Sequence, residues 1–156
     1  MLVFDPGPGR WSIVEGPPTG REHLGVAGFD GRLFVVGGRT GGIGSNLDAA
    51  EAYDAATGRW DRLPDMPTAR GGIAAAAAAN GYVVAAGGEA EATFGEAEAF
   101  DIQAGLWLSL PEMPTPRHGL GMVAVGSVVY AIAGGSEPGL SVSDATEAID
   151  LTPLRS

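Results

Sequence analysis

The chain contains no cysteine and no lysine. The first absence excludes disulfides, thiolate metal sites and cysteine nucleophiles, and it fits a reducing compartment. The second leaves arginine as the only strong cation; alanine and glycine are also abundant, so a GC-rich coding sequence explains the bias better than a mechanism does. Histidine is scarce: His23 and His118 share no metal-binding spacing, and neither a His-Glu-x-x-His run nor an acidic calcium loop is present. No metal or cofactor is expected. The glycine-rich stretch "GGIGSN" after Arg39 lacks the lysine and the strand–helix context of a phosphate loop. No apolar run approaches the roughly 18 residues of a membrane span. No basic stretch followed by a hydrophobic segment opens the sequence, so no signal peptide is visible and the cytoplasm is the favoured location.

Positive charge is also in short supply. Nine arginines face nineteen acids for a formal net charge of −10, with the deficit concentrated beyond residue 70. Such a balance argues against nucleic acid and against an anionic membrane as partner. What the chain does have is 26 glycines and 11 prolines in 156 residues, with 45% hydrophobic residues. That composition suits an all-β protein rich in tight turns.

One phrase occurs twice: "LPDMPTAR" at 63–70 and "LPEMPTPR" at 110–117, with a degenerate copy, "VEGPPTGR", at 14–21. Around it, four residue types keep one register. Tryptophans fall at Trp11, Trp60 and Trp107, arginines at Arg21, Arg70 and Arg117, and glycine pairs at Gly37-Gly38, Gly87-Gly88 and Gly134-Gly135. Aspartates fall at Asp5, Asp54, Asp101 and Asp150. A period of 47–50 residues marks a structural repeat rather than a duplicated active site.

Each period resolves into four short strands. The first ("HLGVAGF", "IAAAAAA", "LGMVAVG") ends at Asp30-Gly31, Asn80-Gly81 or Gly126-Ser127, which predict two-residue hairpins of type I′ or II′. The second runs apolar into the glycine pair; the third reads "EAYD", "EAFD" or "EAID"; the fourth carries the tryptophan. Six alanines at 74–79 favour helix in isolation, but the run is too short for a stable helix and ends on Asn-Gly, so it reads as a strand. Four antiparallel strands per period predict β-propeller blades. A fully buried tryptophan between blades would cost about 3–5 kcal/mol on truncation to alanine.

Double glycine after an apolar strand, then Glu-x-Tyr/Phe-Asp, then Trp six residues later, resembles the Kelch repeat. Here it reads Gly37-Gly38, Glu51, Tyr53, Asp54, Trp60, and again Gly87-Gly88, Glu98, Phe100, Asp101, Trp107. The resemblance implies one all-β domain over 1–156: a partial blade at 1–15, blades at 21–63 and 70–110, and a partial blade at 117–151. About three blades are too few for a ring, which closes with roughly four to eight. The expectation is an arc closed by dimerisation into six blades, a fragment of a larger propeller, or an arc that pairs with another propeller-like chain.

The phrase loops and the variable loops after each glycine pair are expected on one face, where binding specificity usually resides. Candidate binding residues there are Arg21, His23, Arg39, Asn46, Arg70, Glu89, Thr93, Phe94, Arg117, His118 and Glu137. The periodic arginines read either as a guanidinium ring for an acidic ligand or, in better accord with their regularity, as structural donors. The recurring glutamates and aspartates read as partners of turn amides and neighbouring blades, not as catalytic pairs. The resemblance implies a non-catalytic scaffold for a protein or peptide ligand. The alternative is a sugar-acid enzyme similar to the sialic-acid mutarotase N-acetylneuraminate epimerase. Copper-radical oxidases of the kind are excluded by the missing cysteine, and no Glu-x-x-x-Asp-x-x-x-His iron pattern is present.

Overall fold

Short apolar stretches punctuated by glycine turns fold into thirteen antiparallel strands in a computed structural model that describes residues 1–155. An N-terminal hairpin comprises β1 (Leu2–Asp5) and β2 (Arg10–Ile13). The first full blade is β3 (Gly25–Phe29), β4 (Arg32–Val36), β5 (Ala50–Asp54) and β6 (Arg59–Arg62), paired in sequence order. The second is β7 (Ala74–Ala78), β8 (Tyr82–Ala86), β9 (Ala97–Asp101) and β10 (Leu106–Ser109). A third blade has three strands, β11 (Gly121–Val125), β12 (Val128–Ile132) and β13 (Thr146–Asp150). Innermost strands stand side by side, β3 against β7 and β7 against β11, as in a propeller.

The alanine run is indeed strand β7. Its small side chains let the blades on either side approach, and burial between them outweighs the local helical preference of alanine. Of the three inner hairpins, Asp30-Gly31 has positive φ at both residues (46° and 72°), as type I′ requires. Gly126 (φ 61°) opens a two-residue turn whose second residue is not left-handed, as in type II′. Asn80-Gly81 departs from expectation. Ala78 pairs with Tyr82, so the loop has three residues with only Gly81 left-handed.

The glycine pairs bring consecutive blades together. Gly38 donates its N–H to Arg70 O at 2.8 Å, and Gly88 donates to Arg117 O at 2.9 Å. A Cβ on Gly37 (φ 57°) would lie 2.6 Å from Arg70 O and 2.6 Å from Ile73 Cδ1. In the third blade the register slips by one. Ala133 (φ 56°) and Gly134 (φ 98°) take the left-handed pair, and Ala133 N bonds Ala145 O just as Gly37 N bonds Ala49 O. Among the described residues no blade follows the third, and a methyl stands at this station.

The repeated phrase supplies the clamp for each blade. Arg70 Nη1 donates to Gly87 O (3.0 Å) and Glu96 O (2.6 Å), joining the end of β8 to the start of β9, while Nη2 reaches Glu98 Oε2 at 2.7 Å. Thr68 Oγ1 donates to the other oxygen of that carboxylate at 2.7 Å. Arg21 and Thr19 repeat the arrangement on Glu51. Arg117 bonds Ala145 O, Ala131 O and Glu147. The recurring glutamates therefore answer the arginine of their own blade, and Glu51 also accepts the Thr19 amide at 3.2 Å. The aspartates do hold turns: Asp54 Oδ1 accepts from Ala56 N and Thr57 N, and the Thr57 amide bond is the main cause that lowers its pKa.

Each tryptophan on a fourth strand donates to the connector entering its own blade, Trp60 to Glu15 O (3.2 Å) and Trp107 to Pro64 O (2.8 Å). Their rings tilt against Tyr53 and Phe100 at centroid distances of 5.2 and 5.3 Å. Both are half-buried, not fully buried as expected, because the outer strand leaves one edge in solvent. The core lies between blades, with Phe34, Val36, Met66, Val83 and Phe100 joining the two full blades.

Two substitutions test this construction. Gly37→Ala forces both a left-handed alanine and a clash with backbone, and is expected to cost about 2–4 kcal/mol. Arg70→Ala strands the Glu98 carboxylate in the interior and is expected to cost about 3–5 kcal/mol. Urea unfolding of each variant measures both.

Candidate functional site: the loop face

Chain direction places every connector and every long loop at the same end of the blades. The first strand leaves that end, the second returns to it at the left-handed pair, and the third leaves again. Isolated bridges fasten the long loops to the connectors: Glu22 with Arg39, Arg39 with Asn46, Gly71 with Glu89, Glu89 with Thr93, and His118 with Gly135. The residue after each left-handed pair (Arg39, Glu89, Gly135) thus occupies an equivalent station in three successive blades, and it is where the chain departs from its period.

Glu89, at the central station, joins the three. Its Oε1 accepts from Arg39 Nη1 of the preceding blade at 3.1 Å. Its Oε2 accepts from the Gly139 amide of the following blade at 2.9 Å and lies 3.6 Å from His118 Nδ1. Its main-chain oxygen accepts from Asn46 Nδ2 at 2.9 Å. Arg39 Nε is shared with Glu22 at 3.3 Å. Thr93 Oγ1 donates to Ser136 O across the next blade boundary at 3.0 Å, and His118 Nε2 lies 3.1 Å from Glu137 O. Arg39 and Glu89 are buried, at 8% and 4% exposure. Burial by itself would raise the Glu89 pKa. The Gly139 amide, His118 and Arg39 together outweigh it and hold the carboxyl below its ordinary value.

The eleven residues singled out from the sequence therefore separate into groups. Arg39, Asn46, Glu89, Thr93, His118 and Glu137 converge, by side chain or main chain, on one network spanning three blades. His23 is exposed beside Glu22, and Phe94 is half-buried. Arg21, Arg70 and Arg117 are a correction to the binding set. Their side chains have no exposed surface and are taken up by carbonyls and a glutamate, so they do not form a guanidinium ring. Two residues not singled out stand at the surface of the third long loop: Leu140 and Val142, at 108% and 92% exposure. An apolar pair at i, i+2 between Pro138-Gly139 and Ser143 was the available signal. Exposed acids stand on the long loops as well, Glu137 and Asp144 on the third and Glu91 on the second. Among the described residues, no cluster of His, Asp or Glu is arranged to hold a metal, and no helix is long and apolar enough to cross a membrane.

The ionised Glu89 carboxyl is the form that the network binds. Its folded pKa is lowered, so its contribution is present above the unfolded value near 4.5 and is lost as pH falls through the folded value. Glu89→Ala is expected to cost about 1.5–3 kcal/mol at neutral pH, to flatten the acid limb of the stability curve, and to speed hydrogen exchange at the Gly139 amide.

Comparison with known proteins bears on this face. The Kelch motif matches residues 20–67. An F-box/kelch-repeat protein of Arabidopsis thaliana is 34% identical over 67 residues, covering 43% of this chain and 18% of that protein. Human Kelch repeat and BTB domain-containing protein 13 is 34% identical over 77 residues, covering 49% of this chain and 16% of its own length. Human Kelch-like protein 22 is 34% identical over 67 residues, covering 43% and 11%. The matched segments span less than a fifth of each of these relatives. The Kelch motif's span includes Arg21, Gly37-Gly38, Glu51, Tyr53, Asp54 and Trp60, the residues that build the first full blade. Residues 20–67 carry a Kelch motif, and the chain is similar in part to Kelch-repeat proteins.

Proposed function

We propose that the protein is a non-catalytic interaction scaffold that takes a protein or peptide ligand on its loop face. The observation that carries this reading is the Glu89 network. It ties three long loops of differing sequence to one another, so side chains from three blades are held in fixed relation. A rigid, composite surface with variable side chains is what recognition requires, because little ordering entropy is then lost on binding. The ligand-facing groups are those left free by the network, with Leu140 and Val142 as apolar anchors on the same loop as the exposed acids Glu137 and Asp144. That pairing suits an extended peptide with apolar and basic side chains. The sugar-acid enzyme reading is weaker, since its arginines are occupied within the blades.

Peptide-display selection against the purified chain, followed by calorimetry of the winners, tests the proposal. A Leu140→Ser, Val142→Ser double variant is expected to weaken binding at least tenfold. Thr57→Ala, in a turn at the opposite end, is expected to leave it unchanged. Winners indifferent to the double variant, or an accelerated anomer exchange of sialic acid by the chain, would overturn the reading.

A further inference from the structure

The interface between the second and third blades contains a cavity of about 260 Å³, lined by Val84, Met113, Met122, Ile149 and the Pro111–Pro114 connector. Its counterpart one interface earlier is filled, because the Phe100 and Trp107 rings lie there with Phe34, Met66 and Val83. By register, Ile149 stands where Phe100 stands and Pro111 where Pro64 stands. Pro64 O accepts the Trp107 indole N–H, whereas no donor reaches Pro111 O among the described residues. The third blade therefore has a tryptophan socket with its carbonyl acceptor in place and no tryptophan. A cavity of roughly 150 Å³ already admits a benzene ring.

The turn after β13 takes a different course from its counterparts. In the full blades a four-residue turn leads to the fourth strand through a left-handed glycine, Gly58 (φ 72°) or Gly105 (φ 68°). The equivalent position here is Leu154, and it is not left-handed. The segment Thr152–Arg155 instead forms a 3-10 turn tied to the second blade by Tyr82 Oη donating to Leu154 O at 3.0 Å. Among the described residues no strand pairs with the outer edge of β13, which is a template for another strand.

At the other end, Trp11 on β2 is 66% exposed. It tilts against Phe4 at 5.2 Å, the geometry of the two tryptophans already placed in blades. We propose that a second copy of this chain docks β2 along β13, seating Trp11 in the socket and closing a six-bladed ring of two half-rings. Three observations fit. Antiparallel pairing in the register of β5 with β6 sets Arg10 of one copy opposite Asp150 of the other, as Asp54 stands opposite Arg59 within the first full blade. The flank of the third blade turned away from the second exposes Val123, Val125 and Ile132 at 48%, 66% and 41%, on positions where the second blade buries Ala76, Ala78 and Ala86. The flank of the first full blade turned toward the N-terminal hairpin exposes Val26 at 49%. Each composite blade then has four strands. The third-strand place goes to β13, whose Glu147 answers Arg117, and β1 is displaced. One local misfit is built in: the Ala133 methyl meets the partner's Arg21 carbonyl where the earlier blades carry glycine.

Light scattering and sedimentation of the 156-residue chain test this, with Trp11→Ala and Ala133→Gly beside it. The expected result is a dimer of twice the 15.8 kDa chain mass. Trp11→Ala, at an exposed site that leaves the single copy folded by circular dichroism, should dissociate it by at least roughly 30-fold. Ala133→Gly should tighten it, because the misfit is then relieved. A chain that stays monomeric at its highest soluble concentration overturns the proposal. So does a dimer indifferent to Trp11→Ala, or one weakened by Ala133→Gly.

Discussion

Everything in this structure hangs on an arginine that faces two ways. The guanidinium of Arg70 binds the carbonyls of Gly87 and Glu96 and the carboxylate of Glu98, so it fixes the second and third strands of its own blade. The main-chain oxygen of the same residue accepts the Gly38 amide, so it fixes the preceding blade. A buried cation is costly unless it is paired and its donors are used. The surrounding phrase meets most of that demand, leaving only the buried Arg70 Nε without an acceptor among the described residues: its threonine holds the glutamate in place, and its prolines keep the connector extended. The period of the chain follows from this one requirement, since each blade needs its own clamp.

The close approach that the clamp produces explains where glycine is needed and where it is not. Gly37 cannot carry a methyl because the next blade's arginine carbonyl is in the way. Ala133 stands at the same station in the third blade, which no further blade of the described residues follows. Between those limits sits the loop face. Arg39, Glu89 and Gly135 share a station in three blades, yet the scaffold imposes no side chain there. The chain has used that freedom to link the loops through Glu89. Structure and recognition are therefore divided by position: what repeats builds the blades, and what breaks the repeat shapes the face.

Much of this was legible in the residues. Strand number and order, the hairpins at Asp30-Gly31 and Gly126-Ser127, and the strand identity of the alanine run follow from local patterns that neighbouring repeats corroborate. Three things were not. The glycine pair at Gly134-Gly135 is aligned by spacing with Gly37-Gly38, but hydrogen bonding moves the left-handed pair to Ala133-Gly134, and spacing alone carries no φ angle. The arginines look like free cations in a loop until their acceptors are seen. Leu140 and Val142 look like ordinary apolar residues until the loop is found to leave them uncovered.

By itself, then, the sequence determined the architecture, because a blade is a local object: four strands, three turns and one clamp within one period. Tertiary structure decided which polar residues are occupied and which surfaces are open. Those depend on contacts between blades, such as Arg39 with Glu89 fifty residues away, or the place beside Pro111 where a tryptophan fits and none lies. Periodicity fixes what each repeat is. Only packing shows what each repeat still lacks.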